Sequence, residues 1–213
     1  MAGHAVRALD DPGIDEPLKA AAFIRYHSGE GFGHVGWAFD FDKARVNAGS
    51  VENHSGHIFS PSRDMGFWTA FSTDPTDAMR AQRYDDVKVL EVENPDPILA
   101  FRTVLWIKGM EYRAFLRNCE DDVYDVLRAY GVTNLTPPSI EWFPKSWFKR
   151  FRGSLAHVSD YRWCNREASN DPEVSTGVEP PQDLTPWHPT WRRPWHPDFR
   201  RFTLGKLFRR CSN

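Results

Sequence analysis

The stretch HVGWAFDF at 34–41 narrows the fold more than any other part of the chain. Val35, Trp37, Phe39 and Phe41 fall on one side of an extended chain, and His34, Gly36, Ala38 and Asp40 on the other. A period of two belongs to a strand and not to a helix. The large side calls for burial, and the small side lets another element come close. A helix docked over Gly36 and Ala38 is the expectation.

The remaining segments build around this strand. AAFIRY (21–26) reads as a strand. ARVNAGSVEN (44–53) is the return strand after a turn at 42–44, and VKVLEVE (87–93) and YRAFL (112–116) are two further strands. HSGHIFSPSRDMGF (54–67) reads as loop. Asp74 and Pro75 suit the cap and first position of a helix. A second helix runs over 98–109, behind Pro95 and Pro97. In a third, Glu120 to Tyr130, the apolar residues Val123, Val126, Leu127 and Tyr130 recur at helical spacing, and Gly131 is the natural C-terminal cap. The segment 135–150 is aromatic and broken by prolines. Strands and helices mix without βαβ alternation, so the fold class is α+β.

With 213 residues the chain can bury a core without disulfide or metal staples. Residues 1–18 read as an irregular leader, 19–164 as the folded domain, 165–185 as a polar linker and 186–213 as a basic, Trp- and Pro-rich tail. No apolar run has the length of a membrane helix, and acids and prolines interrupt the N-terminus where a signal peptide would be apolar. Cys119, Cys164 and Cys211 form no close pair, which fits a reducing, cytoplasmic setting and excludes a disulfide framework. Residues 185–213 carry a charge of +6 and the rest −8. The acidic body argues against nucleic acid as a partner.

Chemistry concentrates in RNCEDDVYDVLRAYG (117–131). Cys119 stands where a helix begins. Free N–H groups and the helix dipole there favour a thiolate. It also shares a helix face with Val123, Val126 and Tyr130, as a small core residue would. Glu120, Asp121 and Asp122 act the other way and would raise a thiol pKa. His34 heads the alternating strand after a glycine-rich loop. A helix docked on the Gly36–Ala38 face would bring Cys119 toward it, and a Cys–His pair is the minimum for a thiol nucleophile. A hairpin whose turn centres on Lys43 pairs position 34 with 52, so Glu52 would orient the imidazole. A slip of one residue would substitute Val51 or Asn53, and Asn53 and Asn47 are the alternatives for that role.

GHVGWAFDF followed much later by NCEDDVYDVLRAYG resembles the circularly permuted papain-like fold. That group includes the lecithin retinol acyltransferase-like proteins, permuted relatives of the NlpC cell-wall peptidases, and the PPPDE peptidases. In these a His opens a strand and the nucleophile lies in an N-C-E motif that starts a helix, in the same order as here. The acyltransferase-like branch has N-C-E-H-F-V and then L-R-Y-G. This chain has Asn118, Cys119, Glu120 and Val123, then Leu127, Arg128, Tyr130 and Gly131. Asp121 and Asp122 replace the His-Phe pair, one further residue separates the two halves, and a basic tail stands where the animal acyltransferases carry a hydrophobic anchor. The resemblance spans residues 21–131. It implies an antiparallel sheet packed against a helix with Cys119 at its N-terminus. Its Cys119 nucleophile and His34 base would act on an amide, ester or thioester, with an oxyanion held by N–H groups at the helix start.

Two weaker patterns carry little. His54 and His57 have metal spacing but no second ligand pair, and GEGFG (29–33) opens a strand and not a helix, so neither a metal nor another cofactor is expected. In the tail, PWHP recurs at 186–189 and 194–197, with Trp at 187, 191 and 195. Prolines exclude a helical core face, so the rings need a surface. A protein or peptide partner, or the chain's own body, supplies one, and contact with RNA or an anionic membrane surface is the other reading. The alternative to a thiol hydrolase is therefore a non-catalytic interaction module docked through 186–213.

Overall fold

In a computed structural model, residues 17–28, 31–53, 65–110, 117–141 and 143–163 are described. The alternating stretch is β2 (His34–Asp40). Around it lie β1 (Leu18–Arg25), β3 (Val46–Asn53), β4 (Met65–Ser72), β5 (Asp86–Val92) and β6 (Ser154–His157), in one six-stranded sheet of order β4-β3-β2-β1-β5-β6. Every neighbouring pair is antiparallel. With helices α1 (Thr76–Ala81), α2 (Pro97–Lys108), α3 (Cys119–Tyr130) and α4 (Pro144–Arg150), the architecture is α+β. No helix among the described residues is long and apolar enough to cross a membrane.

The pleat of β1 and β2 sends side chains into two cores. Ala20, Ala22, Ile24, Val35, Trp37 and Phe39 meet Val123, Val126, Leu127 and Tyr130 of α3, together with α2 and α4. The opposite core holds Ala21, Phe23, Ala38, Ala48 and Val87 under Met79, Tyr84, Val158 and Trp163. This corrects the expected docking, because α3 covers the large face of β2 and not the Gly36–Ala38 face. The reason is area. The apolar stripe of α3 buries most against Trp37 and Phe39, whose ring lies 5.1 Å from that of Tyr130. The shallow face is filled by single large side chains. A Cβ on Gly36 would lie 2.8 Å from the Tyr84 hydroxyl.

Local signals explain the ends of α3. The Asn118 side chain accepts from the N–H groups of Glu120 and Asp121, Asp121 answers the Asn118 N–H, and Gly131 closes the helix in the left-handed region at φ 109°. At α1 the helix starts one residue later than the cap rule placed it, with Asp74 accepting from Thr76 N–H at 2.8 Å. Three elements escape the pattern reading. β4 has apolar residues on both faces and pairs with β3 along its whole length. β6 is four residues long. In α4, Pro144 takes the first turn, where proline starts a helix and does not break it. Residues 1–16, YRAFL (112–116), His54, His57, Cys164, the linker 165–185 and the tail 186–213 lie outside the described residues.

Candidate active site

One end of the sheet carries a row of charged residues. In the β1–β2 ladder Arg25 is opposite His34. The β2–β3 ladder runs from Trp37↔Gly49 to Asp40↔Val46, and its register continued puts Glu52 opposite His34. The turn centred on Lys43 is held by Asp42, which accepts from the N–H groups of Ala44 and Arg45. Glu52 Oε2 lies 3.9 Å from His34 Nε2 and 2.8 Å from an Arg25 nitrogen. Arg25 also donates to Ser28 Oγ and to the Gln82 carbonyl.

His34 is buried, 5% exposed, with Nε2 3.2 Å from Ser50 Oγ and its ring 5.7 Å from that of Tyr84. Burial, then the Arg25 charge, lowers its pKa to about 3, so the imidazole is neutral. Tyr84 arrives from the turn between α1 and β5. Its buried hydroxyl lies beside Ser50 without a hydrogen bond of good geometry, and burial raises its pKa.

Cys119 is 3% exposed and opens α3 on the other face of the sheet. No hydrogen bond joins it to His34 among the described residues. The link is the backbone. Four residue pairs make the β2–β3 ladder, and it stops short of Val35. There the Val35 N–H lies toward the Cys119 sulfur and acts to lower its pKa. The sulfur thus sits beside the first peptide of β2, where the two strands have ceased to pair, and its charge would be felt by Tyr84 on the His34 face. Burial raises the thiol pKa, the Val35 N–H opposes this, and Glu120, Asp122 and Asp121 add to the rise.

The acids around Cys119 differ in state. Glu120 is fully buried, neither carboxyl oxygen has a hydrogen-bond partner among the described residues, and burial lifts its pKa to about 9, so it is a neutral acid near pH 7. Asp122 pairs with Arg117, whose guanidinium stacks 4.4 Å from the Trp106 ring. The capping of α3 also limits an oxyanion site. The N–H groups of Glu120 and Asp121 are taken by the Asn118 side chain and that of Asp122 by the Asn118 carbonyl. Of the N–H groups at the helix start, the Cys119 amide alone lies outside this cap.

His34 and Glu52 therefore share a face, and Cys119 reaches their end of the sheet from the opposite one. Arg25, Ser50 and Tyr84 complete the surroundings and are not singled out by the sequence. Ser50 and Arg25 follow from register once the pairing is known, whereas Tyr84 has no local signal. Among the described residues no group of three His, Cys, Asp or Glu could hold a metal ion. Comparison with protein-family models, with curated proteins and with solved structures returns no match for this chain.

Proposed function

We propose that the protein is a thiol-dependent hydrolase or acyl-transfer enzyme of the permuted papain-like type, acting on an amide, ester or thioester. The observation that carries this reading is Cys119 at the start of α3, beside the amide of Val35, the residue that follows His34. At rest both groups are uncharged. As the sulfur bonds to the carbonyl carbon, its proton passes to His34, and the carbonyl oxygen gains the electron pair. The Cys119 amide, which the α3 cap leaves out, would be the donor to that oxygen. Collapse expels the leaving group, which takes the proton back from His34. Water or an acceptor then attacks the thioester and releases the thiol. Ser50 orients the imidazole through Nε2, and Glu52 holds Arg25 beside it.

One observation favours a second reading, a non-catalytic module on the same fold. The thiol is buried and its pKa raised, the imidazole pKa is lowered, and a neutral Glu120 lies alongside. Such a Cys119 would be a core residue, and the protein would act by docking. Alkylation of native protein by iodoacetamide across pH separates the two. The enzyme reading predicts a Cys119 rate that falls when His34 is replaced by Ala. A rate set only by global unfolding, and indifferent to His34, supports the module.

A further inference from the structure

Where β1 and β6 end and β5 begins lies a cleft of about 780 Å³ whose lining does not include Cys119. Its anchor is Asp86, 7% exposed, with both carboxylate oxygens in use. Oδ2 accepts from the Tyr26 hydroxyl at 2.8 Å, and Oδ1 lies 2.5 Å from His157 Nδ1. The rest of the His157 side chain is exposed; with Nδ1–H given to Asp86, Nε2 of the neutral ring carries a lone pair, and among the described residues it has no partner. A buried carboxylate thus fixes the tautomer and direction of an imidazole that lines an open cleft.

The wall beside it is built and rigid. Arg80 donates to the carbonyls of Val158, Ser159 and Tyr161, which pins the turn after β6. Arg162 lies on the same rim and spends one N–H on the Tyr161 carbonyl. His27 also lines the cleft. Asp85 is the one exposed carboxylate there, and it already accepts from the Tyr26 N–H at 2.7 Å. The groups that face a ligand are thus two imidazoles and a guanidinium, beside the carboxylates of Asp85 and, behind His157, Asp86.

We propose that this cleft is a binding site for a phosphate monoester, with His157 and Arg162 on the phosphate oxygens. The guanidinium donates to phosphate oxygens, and His157 Nε2 accepts from a P–OH or, once it has taken up that proton, donates back to the oxygen. The volume exceeds what inorganic phosphate needs, and the Tyr26 and Tyr84 rings line it, so the ester's organic part has a place to lie. The site does not depend on the chemistry of Cys119.

Titration calorimetry of the full chain with phenyl phosphate and with inorganic phosphate is the test. Phenyl phosphate should bind about tenfold more tightly than inorganic phosphate. H157A and R162A, both changes at the surface, should each weaken it by about tenfold, the scale of one charge-assisted hydrogen bond. Asp86→Asn should weaken it similarly by freeing the imidazole. Cys119→Ala should bind as the parent does. Absence of binding at millimolar phenyl phosphate, or equal affinity in H157A and R162A, overturns the proposal. So does a loss in Cys119→Ala, which would place the anion at the thiol.

Discussion

Glu52 and His34 face one another across the β2–β3 hairpin, with Glu52 Oε2 3.9 Å from His34 Nε2 and 2.8 Å from Arg25. The carboxylate is shared, and the permanent cation is the closer partner. His34 is thereby kept neutral by burial and by Arg25, with Glu52 too far to compensate.

Acid sensitivity follows from this. The folded pKa of His34, about 3, lies below the unfolded value of 6.5. The unfolded chain then binds the extra proton between those limits, so the stability is present above pH 6.5 and is lost as pH falls toward 3. Thermal unfolding between pH 7 and pH 4 should show a loss on the order of 3 kcal/mol from this group. His34→Gln should flatten that slope. An unchanged slope would show that the imidazole is solvated.

Glu120 has the opposite sign. Its folded pKa, about 9, lies above the ordinary value of 4.5, so its stability is present below pH 4.5 and drains as pH rises through 9. Glu120→Gln keeps the shape and removes the titration. It should stabilise the protein at pH 7 by on the order of 2 kcal/mol and more at pH 9. Chemical denaturation at three pH values measures this. A destabilised Gln variant would mean that a carboxylate is required there.

Gly36 tests which face α3 covers. An added Cβ meets the Tyr84 hydroxyl at 2.8 Å and the Gly49 carbonyl at 2.9 Å. Gly36→Ala should cost about 1–3 kcal/mol by overpacking. Tyr84→Phe, which removes the nearer atom, should recover part of that loss in the double variant. Strict additivity would place the strain elsewhere.

Much of the sheet end is legible before any coordinates. Alternation marks β2, and the Lys43 turn sets a register that pairs Trp37 with Gly49 and leads on to His34 and Glu52. Asn118 and Gly131 mark the ends of α3 because capping is local chemistry. The face that α3 covers is not local. It depends on how much area Trp37 and Phe39 gain against Tyr130, and on Tyr84 arriving from a distant turn to fill the shallow side. β4 is hidden for a related reason, since its pairing with β3 and not its own pattern makes it a strand.

The central claim is that Cys119 attacks carbonyl carbon with help from His34, and an acyl adduct tests it most directly. Native protein is mixed with p-nitrophenyl acetate, quenched over time and read by mass spectrometry. The account predicts a single acetyl group on Cys119, released with one equivalent of p-nitrophenol. The same adduct should form about a hundredfold or more slowly in His34→Ala, the scale of a lost general base. An unacetylated Cys119 in folded protein, or an adduct formed equally fast without His34, contradicts the claim and leaves Cys119 a core thiol.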